Sequence, residues 1–168
     1  LARCVIWTFN NEDRSARWWA ANPEEESGTE SFLIPYTDHR TCYEYWKSWK
    51  EKRTRYFYEL SGETKRTWDD YLFNHTDMAR LPERVKAGMK APEKVLLYNS
   101  FRDFGVLFAV SLEPLSEENF DIIERFGKVF DQSYTRFKDI QQAEAREMEA
   151  IRQASLDRVR AEIASMRT

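Results

Sequence analysis

The last third of this chain constrains its architecture more than any other part. From Ser116 to Thr168 the sequence contains no proline and a single glycine, Gly127, and no aromatic residue follows Phe137. A helix of this length would reach roughly 75 Å, at ~1.5 Å per residue. That is longer than the core of a 168-residue chain is wide. We therefore expect its far half to need a partner outside its own domain.

The spacing of apolar residues along this helix is typical of a helix that pairs with a second helix. Between Leu156 and Met166 they recur at the three-and-four spacing of a heptad seam. The phase slips once, because Ile151 and Leu156 are five residues apart, and such a slip changes the local supercoil. We expect a parallel coiled coil between two copies of the chain, a homodimer. The predicted interface comprises Phe130, Phe137, Ile140, Met148, Ile151, Leu156, Val159, Ile163 and Met166.

Upstream of this helix, the pattern predicts an α+β domain over residues 1–137, followed by a signalling helix over 138–168. Strand-like runs at 3–9 and 16–21 form a hairpin, and further strands are expected at 31–36, 55–60, 94–100 and 104–111. A helix capped by Asp38 or Thr41 has an aromatic face and a polar face that includes Lys47. Pro82 begins a short helix ended by Gly88. We expect one antiparallel sheet flanked by helices, with helices on one face and a groove on the other.

Composition excludes several classes of protein. The formal net charge is −3 and the sequence pI is about 5.6, so the basic footprint of a nucleic-acid-binding protein is missing. No run is long enough for a membrane span and no signal peptide is visible. We therefore predict a cytoplasmic chain without direct membrane contact. Because it begins without Met, we also expect it to be a fragment of a longer protein.

Three segments carry a resemblance to a known family: Phe126–Phe137 with its Tyr-x-Arg-Phe end, Gln142–Arg146, and the Leu-x-Arg-Val-Arg of Leu156–Arg160. They resemble the junction in bacterial multidomain sensor proteins where a GAF-like domain passes into a connecting helix. The resemblance implies a GAF-like sheet and a non-catalytic sensory and dimerisation module. It also implies an output domain in the same polypeptide, a histidine kinase or a nucleotide cyclase.

The chain lacks the sequence motifs with which GAF domains bind their known ligands. It lacks the Asn-Lys-x-Phe-Asp-Glu type motif of cyclic-nucleotide-binding GAF domains, and Cys42 is followed by Tyr43 rather than by the His of bilin-binding members. The sequence therefore supports neither a cyclic nucleotide nor a bilin as the ligand. Any ligand is then an unidentified small molecule, and we expect no cofactor. Two isolated cysteines and two histidines make a metal site improbable. No nucleophile motif is present, so an enzyme of small-molecule chemistry is the least favoured reading.

Amphipathic aromatic rings are the remaining signal for a ligand, since pockets are mostly apolar with a few polar handles. The candidate ligand-binding residues are Trp7, Trp18, Tyr36, His39, Tyr43, Trp46 and Tyr98. Core packing is the alternative explanation for these rings. It corresponds to an alternative function, a purely structural dimerisation module without a ligand. A groove plugged by Trp and Tyr would favour that alternative.

Overall fold

The computed structural model describes residues 3–20 and 30–167. The polar segment 22–28, which the sequence predicts to be a loop between the strand-like runs at 16–21 and 31–36, lies outside the described residues. The chain divides into two compact units, residues 1–131 and residues 132–168. The first contains the sheet and the second is helical, and each is described by itself below.

The first unit is built on one six-stranded antiparallel sheet, which confirms the α+β class. The strand order is β3-β2-β1-β6-β5-β4. The N-terminal hairpin is confirmed, because β1 pairs with β2 in antiparallel register. The strands are β1 Arg3–Asn10, β2 Ser15–Ala20, β3 Glu30–Pro35, β4 Tyr56–Ser61, β5 Lys94–Arg102 and β6 Gly105–Ser111.

Within the described residues, four α-helices accompany the sheet, and two details expected from the sequence are wrong. The first helix is capped by the imidazole of His39, not by Asp38 or Thr41, and the third continues through Gly88. The helices are α1 Arg40–Lys50, α2 Gly62–His75, α3 Glu83–Lys90 and α4 Glu117–Met166, with a 3₁₀ turn at Asp77–Arg80.

Side chains of β5 supply two separate cores, because successive residues of a strand point to opposite faces. Val95 and Leu97 belong to a large aromatic core beneath α1 and α2. Leu96 and Tyr98 belong to a smaller core, to which the first turns of α4 contribute Phe120 and Ile123. The expectation of an open groove on the second face is therefore wrong at β5 and β6.

Arg55 attaches the start of α4 to the edge of the sheet. Its guanidinium donates to Asp121 at 2.7 Å and to Glu117 at 2.5 Å, and its Cζ lies 4.1 Å from the ring centre of Phe120. Both carboxylates are largely exposed, so solvent screens these ion pairs and each contributes little to stability. Their main effect is to position the helix.

Candidate functional site

Trp7 stands at the centre of the aromatic core between the sheet and helices α1 and α2. Its ring centre lies 5.2 Å from that of Tyr45, 5.6 Å from that of Trp18 and 5.7 Å from that of Phe108. Trp7 is 4% exposed and Tyr45 is 1% exposed. Within the described residues, no acceptor reaches the indole Nε1 of Trp7. The position expected to hold a ligand is filled by the protein's own rings.

Tyr45 fixes this core through a buried hydrogen bond. Its hydroxyl donates to Oδ1 of Asn99 at 2.7 Å, and the Asn99 amide nitrogen donates to the carbonyl oxygens of Tyr56 and Leu97, each at 3.0 Å. Burial raises the pKa of Tyr45 well above its ordinary value, so the phenol remains a neutral donor. The network joins α1 to two neighbouring strands.

Three of the predicted ligand-binding residues are structural in this fold. Trp7 and Trp18 pack in the aromatic core. Tyr98 lies on the opposite face of the sheet, where its hydroxyl accepts from the backbone N–H of Leu115 at 3.0 Å and its ring meets Phe120 edge to face. The structure thus does not bring these three side chains together in one site.

Tyr36, Tyr43 and Trp46 do meet, at a shallow surface depression of about 360 Å³. We call it the basic depression, because three of the described residues that line it are cationic and none of them is a carboxylate. Its lining residues are Asn11, Arg14, Tyr36, Tyr43, Trp46, Lys47 and Lys50. Positive charge beside aromatic rings suits a small anion that also carries a planar group.

The basic depression is held in place by the β1–β2 turn. Lys50 Nζ donates to Oδ1 of Asn11 at 2.6 Å, and the backbone N–H of Tyr36 donates to the carbonyl of Arg14 at 2.8 Å. The Arg14 guanidinium lies 4.0 Å from the ring centre of Tyr36. Sequence reasoning treated Lys47 and Lys50 as a solvent-exposed helix face. Their three-and-four spacing with Tyr43 was the signal that could have placed them together.

His39, the seventh predicted ligand-binding residue, has a structural role at the start of α1. Its Nδ1 accepts from the backbone N–H of Thr41 at 3.1 Å, so the ring proton sits on Nε2, which lies 2.8 Å from Oγ1 of Thr67. The imidazole also packs against Trp68 at 5.2 Å. Burial lowers the pKa of His39 below its ordinary value, against the opposing effect of a backbone hydrogen bond at Thr64.

Acidification is expected to weaken the His39 cap. A protonated imidazole cannot accept from Thr41, and a folded-state pKa below the unfolded value of 6.5 means that folding favours the neutral ring. The neutral His39 cap makes its full contribution to the free energy of unfolding at pH values above the pKa of the unfolded state. This contribution is lost as the pH falls through the pKa of the folded state.

Urea unfolding of the wild type and of His39→Asn, at several pH values from 7.5 to 4.5, measures this effect. Asparagine caps helices at every pH in this range. The free energy of unfolding of the wild type should therefore fall more steeply than that of the variant. Parallel pH profiles for the two proteins would show that the cap does not titrate.

The second unit is a helix with a row of large apolar side chains in water. We call this row the C-terminal stripe; its members are between 43% and 82% exposed. It consists of Phe137, Ile140, Met148, Ile151, Leu156, Val159, Ile163 and Met166. Phe130, the ninth predicted interface residue, lies in the first unit, where its ring centre is 4.6 Å from that of Phe104.

Comparisons with protein families, with curated proteins and with solved structures find no match to this chain. In the part of the chain that the structure describes, no helix combines the length and apolar character that a bilayer crossing requires. Residues 3–20 and 30–167 also contain no group of three or more His, Cys, Asp or Glu side chains placed to hold a metal ion.

Proposed function

We propose that this chain is a non-catalytic dimerisation module, in which the C-terminal helix pairs with the same helix of a second copy. The observation that carries the proposal is the C-terminal stripe, eight large apolar side chains on one exposed helix. Drying a half-exposed side chain of this size contributes on the order of 1 kcal/mol. No single residue is then sufficient to stabilise a dimer, so we expect the eight side chains to contribute together.

The resemblance to sensor proteins extends this proposal to a biological setting. In that setting the first unit is a GAF-like domain in a cytoplasmic bacterial signalling protein. The paired helices form a coiled coil that joins it to an output domain in the same polypeptide, a histidine kinase or a nucleotide cyclase. The filled aromatic core around Trp7 supports the version in which the module dimerises without a ligand.

A disulfide-trapping experiment tests the dimer. Met148 lies at the centre of the stripe, so Met148→Cys should be trapped as a covalent dimer under mild oxidation. Cys4 is exposed and is first replaced by serine, whereas Cys42 is buried and its burial raises the pKa to about 11, which keeps it unreactive. Ala150→Cys, on the other side of the helix, is the matched control. Equal trapping at both positions would indicate random collision and count against the proposal.

A sensory function is the second candidate, and the basic depression favours it. Its three cations, the exposed ring of Tyr43 and the partly buried ring of Tyr36 suit a small aromatic anion. Such a ligand can act only through different affinities for two states. Calorimetric titration with phenyl phosphate tests this site. Lys47→Gln with Lys50→Gln should abolish the binding heat, whereas Lys90→Gln with Lys94→Gln should preserve it. A titration of the wild type without heat would remove the support for this candidate.

A further inference from the structure

Polar residues lie along the middle of the C-terminal stripe, and their order indicates how a second helix would pair with this one. Each residue of an α-helix advances by about 100°, so steps of four and three stay close to one line. From Met148 such steps run back through Glu144 and Gln141 to Phe137, with spacings of four, three and four. Forward from Met148 they run through Arg152 and Ser155 to Val159, with the same spacings. All of these side chains are exposed.

We infer that the C-terminal helices of two copies pair antiparallel, about a twofold axis at Met148. This inference rests on the proposed dimerisation and specifies the arrangement of the partner. In an antiparallel pair, residues equally distant from the axis lie at the same height. Phe137 then lies beside Val159 of the second copy, and Met148 lies beside its own equivalent.

Charge complementarity favours this arrangement. Antiparallel pairing brings Glu144 level with Arg152 of the second copy, and symmetry repeats the pair on the other side of Met148. It also places Gln141 level with Ser155 of the second copy, so that two neutral polar residues meet. Opposite charges that meet across an interface fix its register, and like charges disfavour the alternative.

A parallel, in-register pair would place like charges together along the same line. Glu144 would face Glu144, Arg152 would face Arg152, and Glu162, one further step along the line, would also face its equivalent. Partly dried like charges repel more strongly than the same charges in water. The parallel coiled coil expected from the spacing of apolar residues is therefore the less favourable arrangement of this segment.

The ion pairs seen within the single helix leave both charges available. Arg152 donates to Glu149 of the same helix at 3.1 Å, with side chains 71% and 61% exposed. Exposed pairs three residues apart contribute little, so Arg152 can exchange this partner for Glu144 of a second copy. The order of the spacings also fits a reversal at Met148, because the two four-residue steps that meet there, from Glu144 and to Arg152, are mirror images about the axis.

Disulfide trapping between differently tagged copies tests the orientation, in the Cys4→Ser background. A mixture of Phe137→Cys and Val159→Cys proteins should give a mixed disulfide dimer, and Phe137→Cys alone should give none. Trapping of Phe137→Cys with itself would overturn the antiparallel arrangement but leave dimerisation standing. A stable dimer that forms neither disulfide would overturn the register. A wild-type protein that stays monomeric would contradict the proposed function itself.

Charge reversal gives an independent readout. In the antiparallel dimer Glu144→Arg alone places like charges together twice, and we expect about a tenfold or greater loss of affinity. Adding Arg152→Glu to the same chain exchanges the two charges and should return the dissociation constant to within about threefold of the wild type. In a parallel pair each position faces itself, so the single reversal would change little. That result would overturn the inference.

Discussion

Replacing Leu156 and Ile163 by lysine is expected to convert the protein from a dimer to a monomer. Both side chains belong to the C-terminal stripe and are 43% and 49% exposed. Each substitution removes apolar surface that pairing would dry and adds a charge that pairing must desolvate. Together they should weaken self-association by about a hundredfold or more, at 1.4 kcal/mol for each factor of ten.

Sedimentation velocity over a range of concentrations measures this loss, and the helix offers a matched control. Ala150→Lys with Ala164→Lys adds the same charge to the same helix, on the side opposite the stripe, and lysine is nearly as good a helix former as alanine. The control protein should remain a dimer. If both pairs of substitutions reduce association equally, net charge rather than the stripe governs it.

Gly105→Ala should produce the largest loss of stability among single substitutions in the sheet. Gly105 begins β6 with φ +145°, and a Cβ added there would lie 2.0 Å from the carbonyl oxygen of Trp7. The obstacle is backbone of the central strand β1, so no rotamer change relieves it. We expect a loss of about 3 kcal/mol or more in the free energy of unfolding.

Gly88→Ala is the control for this prediction. Gly88 lies inside α3 and an added Cβ would meet no atom within 4 Å, so alanine should stabilise the protein by about 0.5–1 kcal/mol. Urea unfolding of the two variants compares the effects directly. A Gly105→Ala protein as stable as the wild type would show that β1 and β6 do not approach each other this closely.

The strands could be predicted because each is a short β-branched and aromatic run bounded by turn residues, as at the hairpin of β1 and β2. Helix ends were harder. Histidine is not among the preferred N-cap residues, and tertiary contacts of its ring with Trp68 and Thr67 explain why His39 caps α1. Gly88 resembles a helix terminator in sequence, yet α3 continues for two residues beyond it.

The candidate site was predictable in its residue types but not in its location. Alternation along β1 indicates that Val5 and Trp7 share a face, but it cannot indicate which face the helices cover. The basic depression depends on Arg14, which the β1–β2 turn brings to α1 across about thirty residues of sequence. Periodicity within one element carries no information about such a contact.

The residues of the proposed dimer interface are easier to predict than the basic depression. A helix keeps side chains at fixed angles over its whole length, and eight of the nine predicted residues are exposed on the second unit. The phase slip between Ile151 and Leu156 lies within the continuous helix Glu117–Met166, and the local change of supercoil that it predicts stays a prediction.

Self-association through the C-terminal stripe is the claim on which the account depends, and sedimentation equilibrium of the unmodified chain tests it most directly. Each copy has a mass of 20.1 kDa, so the account predicts a concentration-dependent approach to twice that mass. A single species of one-copy mass at every concentration up to the millimolar range would contradict it.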